Sequence, residues 1–156
     1  MEIRVLGPVE LVVDGQVRSL PGGGERELLA LLALSAGRVV PVPALVDALW
    51  GEALPANPSN ALQVRVSKLR RALAAAGGPE DVVVTRPPGY LLDLDRDRVD
   101  ALWFTNLVTA ARAEAASASR YRRAATPGSA AASARAAVTR LVNHSASTRS
   151  RSRSRR

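Results

Sequence analysis

The chain has 156 residues and no cysteine, which excludes disulfide cross-links and thiolate metal sites, and its single histidine, His144, lies in a tail expected to be disordered, which leaves a histidine-based triad or zinc site nothing to work with. Its formal charge of +8 is unevenly placed: residues 1–100 carry 11 Lys and Arg against 13 acids, a net of −2, whereas residues 101–156 carry 11 Arg against one acid, a net of +10. The basic excess therefore says nothing about the first part of the chain, which is long enough for one core of about 100 residues without metal or disulfide support.

Residues 3–6, 9–13 and 16–20 are short strand-like runs separated by Gly7-Pro8 and by Asp14-Gly15, a strong two-residue hairpin signal, and they predict a small antiparallel sheet. Gly22, Gly23 and Gly24 precede a helix, but no Lys-Ser or Lys-Thr follows and no further glycine stands at nucleotide-fold spacing, so they read as a flexible turn. The helix is predicted over residues 25–35. Glu25 and Glu27 suit its positive end, and Leu28, Leu29, Leu31, Leu32 and Leu34 leave hardly any face for water. It should be buried on two sides, against the N-terminal sheet and the basic helix described below. Its apolar run, residues 28–34, falls far short of the ~20 residues of a membrane span, and no signal peptide is visible, so a soluble cytoplasmic protein without membrane contact is expected. Pro43 suits the first turn of the next helix, whose apolar face is Leu45, Val46, Leu49 and Trp50 before Gly51 ends it.

A third helix spans residues 60–73. Leu62, Val66, Leu69 and Leu73 are spaced by four, three and four residues, the mark of one buried stripe. The opposite face carries Asn60, Val64, Ser67, Lys68 and Arg71, with Gln63, Arg65 and Arg70 on the flanks. No acid interrupts the segment between Ser59 and Pro79. An α-helix fits the major groove of duplex DNA, and this face suits base-edge readout: Lys68 and Arg71 for guanine O6 and N7, Asn60 or Gln63 for adenine, Val64 for a thymine methyl. The flanking arginines suit phosphates. An Arg-rich face equally describes an ordinary solvated helix, so the helix alone leaves two readings. The following residues shift the balance. Val82, Val83 and Val84 predict a strand, Pro87, Pro88 and Gly89 a turn, and residues 90–92 a return strand, with Arg86 at the hairpin tip. A rigidly held arginine suits the concentrated negative potential of a narrow minor groove.

Asp93, Asp95 and Asp97 alternate as in a calcium loop, but Arg98 stands at the glycine position and the closing Glu is missing, so a polar connector is the better account. A helical pattern returns over residues 99–111, with Leu102, Trp103, Leu107 and Val108 on one side. From Ser117 the chain is mostly Ala, Ser and Arg, Val138, Leu141 and Val142 are too few for a second core, and the closing Arg/Ser run is expected to be disordered. No inward-facing pair of acids can be identified; neither an enzyme nor a cofactor or metal is expected.

The opening Ile3-Arg-Val-Leu-Gly-Pro8, the Leu-rich first helix, Leu45-Val-Asp-Ala-Leu-Trp-Gly51, the basic helix and Thr85-Arg-Pro-Pro-Gly-Tyr90 closely resemble the OmpR/PhoB-type winged-helix domain. More narrowly they resemble the Streptomyces antibiotic regulatory protein family of actinobacterial transcriptional activators, over residues 1–112. The resemblance implies an α+β winged helix-turn-helix: an N-terminal antiparallel sheet, three helices and a C-terminal β-hairpin wing over residues 1–97. Residues 98–116 then match the first helix of a bacterial transcriptional activation domain, and residues 117–156 form the basic tail. It further implies that Trp50 donates its indole N–H to a phosphate, that Val64, Lys68 and Arg71 face the major groove, that Arg65 and Arg70 meet the DNA backbone and that Arg86 enters the minor groove. Asn60 and Ser67 complete the expected base-contacting set, and Gln63 the backbone set. Lys68 stands where the wider class often has arginine, which replaces a planar fork with a point donor. The implied partners are double-stranded DNA at direct-repeat promoter sites, RNA polymerase and a second copy bound side by side, in the control of secondary metabolism. With no receiver domain, any phosphorelay role is by family only. The abrupt loss of family pattern in the tail favours a frameshift or truncation in a GC-rich gene over a functional basic arm. The alternatives are a non-specific nucleic-acid binder driven by the Arg/Ser tail and a truncated competitor of full-length regulators.

Overall fold

Asp14 and Gly15 turn the chain with positive φ at both positions, 51° and 79°, the requirement of the hairpin turn that matches the twist of paired strands. They join β2 (Glu10–Val13) to β3 (Gln16–Ser19), and β1 (Glu2–Arg4) pairs antiparallel with the other edge of β2, Ile3 opposite Leu11. The computed structural model describes residues 1–79 and 81–124. Ile3 and Leu11 are fully buried, whereas β3 is exposed along its whole length.

Helix α1 (Gly23–Leu34) begins two residues earlier than the acidic signal suggests. Leu28, Leu29, Leu32 and Ala33 are completely buried, but Leu34 lies exposed and Leu31 half-buried, so one face meets water. Its principal partners are α3 (Pro58–Ala75), α2 (Val42–Trp50) and the strand β6 (Gly89–Leu92). The expected packing on the basic helix is present; the expected main contact with the N-terminal sheet is replaced by β6, whose four residues are all buried. Between α1 and α2 lies β4 (Val39–Pro41), absent from the sequence expectation because three residues are too few for a period to show. It pairs antiparallel with β6, so the wing is a three-stranded sheet in the order β4, β6, β5 (Val83–Arg86) rather than an isolated hairpin.

Helix α3 is closed at both ends by local chemistry. Asn57 caps its start, the side-chain Oδ1 accepting from the Asn60 N–H at 3.0 Å, and Pro58 occupies the first turn where its missing N–H costs nothing. Gly77, with φ of 83°, ends it: the Gly77 N–H donates to the Ala74 carbonyl and the Gly78 N–H to the Leu73 carbonyl, both at 2.9 Å, which satisfies two of the helix's last carbonyls.

After β6 a 3₁₀ turn (Arg96–Arg98) leads to Val99, which bridges Ile3 in parallel, and to α4 (Asp100–Ala124). Val99 is fully buried and Leu102 nearly so, both in the common core, and the compact unit runs from Met1 to Phe104. The expected boundary at residue 97 therefore falls inside this unit, because the core is completed by two apolar residues beyond it. The expected disorder from residue 117 also needs amending: residues 117–124 belong to α4, and the remainder of the tail, with His144, lies outside the described residues. No described helix is long and apolar enough to cross a membrane. The Asp100 carboxylate fastens the end of the unit to its beginning, Oδ1 accepting from the Val5 N–H at 2.8 Å and Oδ2 from the Leu6 N–H at 3.2 Å. Asp100→Ala should lower the stability of the chain by about 1–2 kcal/mol, measured as a shift in the urea midpoint, since it leaves two backbone donors and a helix start without their acceptor.

Candidate nucleic-acid interface

The stripe on α3 buries Leu62, Val66, Leu69 and Leu73, each at most 1 % exposed, against α1 and α2. With that side committed, the helical period sends Asn60, Gln63, Val64, Ser67, Lys68 and Arg71 outward, and all six are exposed. Val64 keeps 45 % of its surface in water, an exposed apolar side chain on an otherwise polar face. From Asn60 to Arg71 this face runs about 16 Å along the axis at about 1.5 Å per residue, nearly five base-pair steps of about 3.4 Å. Helix α3 carries four basic residues and no acid. Lys68 has no ion-pair partner among the described residues, and Arg71 holds only a long 3.4 Å bond from Nε to the Ser67 carbonyl of its own helix. Both cations are available to an external acceptor.

Arg86 is the last residue of β5, exposed, and the two-residue turn Pro87-Pro88 follows it. That turn is tied down: the Pro88 carbonyl accepts from the Val42 N–H at 3.1 Å, at the head of α2. The wing-tip arginine therefore projects from a braced sheet.

Two residues expected at the DNA backbone, Arg65 and Arg70, have partners within the domain. The Arg65 guanidinium lies over the Trp50 ring, 4.6 Å from its centroid, and Nη1 pairs with Glu27 Oε2 at 3.3 Å. It also fills the space beside Gly24, where a Cβ would come within 3.2 Å of it. Arg65 thus joins α1, α2 and α3; with its side chain 26 % exposed, the ion pair is worth under about 1 kcal/mol and the ring contact a similar amount. Trp50 is half-buried beneath it. Arg70 turns the other way: Nε donates to the Val83 carbonyl and Nη2 to Thr85 Oγ1, both at 2.9 Å. Glu27 and Thr85 were not expected as site residues. Glu27 reads in the sequence as a complement to the helix dipole and Thr85 as part of the wing string, and neither signal reports a partner on another element.

A helix-turn-helix whose second helix presents an unopposed basic face, followed by a sheet with an arginine at its tip, is a winged-helix domain of the DNA-binding transcription-regulator class. Residues 21–92 match the family model described as transcriptional regulatory protein, C terminal. The chain is 39 % identical over 113 residues to the regulatory protein DnrI of Streptomyces peucetius, covering 69 % of this chain and 42 % of that protein. It is 38 % identical over 112 residues to the transcriptional regulator RedD of Streptomyces coelicolor, covering 70 % and 32 %. The structure of Mycobacterium tuberculosis EmbR in complex with a low-affinity phosphopeptide superposes with a TM-score of 0.64 at 32 % identity, over 74 % of this chain and 31 % of that one. The chain thus spans less than half the length of these relatives. It belongs, through its OmpR/PhoB-type winged-helix domain, to the Streptomyces antibiotic regulatory protein family.

Proposed function

We propose that this chain is a sequence-specific DNA-binding regulator of secondary-metabolite genes, reading direct-repeat promoter sites with α3 in the major groove and Arg86 in the minor groove. The observation that carries the reading is the exposed, acid-free face of α3 set against a completely buried stripe on the same helix. Arg71 suits a bidentate guanine contact and Lys68 a single-point one; Asn60 or Gln63 can pair with adenine, Ser67 with either base, and Val64 can pack on a thymine methyl. Trp50 is the phosphate donor, and Arg65 supports it from above. RNA polymerase and a second copy on the adjacent repeat are the protein partners proposed, and residues 98–116 the start of the element that engages the first of them.

The test is selection from a random duplex library by residues 1–104 and, in parallel, by the full chain, followed by affinities at two salt concentrations. One repeated motif is expected from both. The net charge of +10 over residues 101–156 favours a rival in which the tail supplies non-specific affinity. No motif from the shorter form, with salt-sensitive binding by the full chain alone, would establish the rival and reject the regulator.

A further inference from the structure

We propose that Arg70 is a positioning residue that latches the wing to the recognition helix through Thr85, so that α3 and Arg86 meet the duplex as one rigid reader. The inference rests on the DNA-reading function proposed above. Its two bonds run from one guanidinium plane to two points on one strand: Nε to the Val83 carbonyl and Nη2 to the Thr85 hydroxyl, each at 2.9 Å. Among the described residues strand β5 is the edge of its sheet and its outward carbonyls have no ladder partner there; the arginine supplies one to Val83. A planar fork held at two points fixes the rotation of the strand as well as its distance, which a single bond cannot do.

The neighbours of each end give the latch its consequence. Thr85 immediately precedes Arg86, and successive residues of a strand point to opposite faces, so fixing the Thr85 side chain fixes the direction in which Arg86 leaves the sheet. At the other end Arg70 immediately precedes Arg71, about 100° around the helix. One turn of α3 therefore holds a base reader on one side and the wing's anchor on the other. The competing role is a direct phosphate contact by Arg70, and charge-preserving variants separate the two.

The experiment measures binding of the full chain to its selected duplex site and to permuted sites. Thr85→Val changes no charge and removes only the hydroxyl; it should weaken specific binding about tenfold and flatten the preference at the base pairs nearest the wing, while Thr85→Ser restores both. Arg70→Lys keeps the charge and loses the fork, and should match Thr85→Val. In an Arg86→Ala background Thr85→Val should cost nothing more, because the group that the latch aims is gone. Thermal melts of each unbound variant confirm that binding is measured on folded protein. The latch is overturned if Thr85→Val binds like the unsubstituted chain, if Arg70→Lys does so, or if the Thr85→Val loss persists undiminished in the Arg86→Ala background. If the unsubstituted chain itself selects no site, the regulator reading falls and the latch with it; if it selects a site and the variants behave normally, only the latch is wrong.

Discussion

Gly89→Ala should destabilise the domain by about 3 kcal/mol, the upper end of overpacking costs, and take DNA binding down with it. Gly89 opens β6, the central strand of the wing sheet, and sits opposite Pro41 of β4 on one side and Arg86 of β5 on the other. A Cβ there would fall directly on the Val40 carbonyl oxygen, 2.7 Å from the Val40 carbonyl carbon and 2.8 Å from Pro41 Cα. These are backbone atoms, so no rotamer change relieves the overlap, and β4 and β6 must separate. Because β4 leads directly into α2, the displacement spreads to the helix that carries Trp50, and the wing turn loses its tie to the Val42 N–H. Gly23→Ala is the control: nothing lies within 4 Å of the added atom, and alanine in the first turn of α1 should leave the domain no less stable. Urea unfolding of both, with DNA binding measured below the melting temperature, decides the matter. An unchanged midpoint for Gly89→Ala would show that the close approach of β4 to β6 does not hold the wing.

The elements most legible in the sequence are those whose signal is local. The four-three-four spacing from Leu62 to Leu73 places the buried side of α3, and by elimination its exposed side, without any knowledge of what covers it. The Asp14-Gly15 turn is likewise written in two residues, and the wing turn is marked by Pro87 and Pro88, although Gly89, expected in the turn, is the first residue of β6. What the sequence hides is every relation set by tertiary partners. Arg65 and Arg70 stand on the flanks of the helical face, where the period leaves a long side chain free to run outward or along a neighbour. Arg65 is settled by Glu27, 38 positions away, and Arg70 by Thr85, 15 positions away. Strand β4 exists because β6 offers it a ladder, not because three residues prefer to be extended. Val99 and Leu102 read as the start of the next element, and only the packing shows that the first core needs them. The family resemblance supplied the order of elements but not these contacts, which decide whether a basic residue faces the DNA or holds the reader together.

That distinction gives the second large effect. Replacing Lys68 and Arg71 together by alanine should cost about 2–6 kcal/mol on the selected site, at about 1–3 kcal/mol for each base contact, and leave random duplex far less affected. Both side chains are exposed and, among the described residues, the only bond between either and its own domain is the long one within α3, so stability should move by less than about 0.5 kcal/mol. Alanine, the best helix former, keeps α3 intact. The loss then reports recognition rather than folding. The singles should differ in kind: Arg71→Ala should relax one base-pair position sharply, since a planar fork discriminates guanine by two bonds, whereas Lys68→Ala should relax its position less. The residues lie three apart on one helix face, so the double loss need not equal the sum. Salt dependence separates base readers from phosphate contacts. If the two side chains meet phosphates instead, the slope of log affinity against log salt should fall by about 0.9 for each, and specific and random duplex should lose alike. An equal loss on both would move Lys68 and Arg71 to the backbone and leave Val64, Asn60 and Ser67 to read the sequence; an unequal loss at unchanged slope would assign the bases to the two cations.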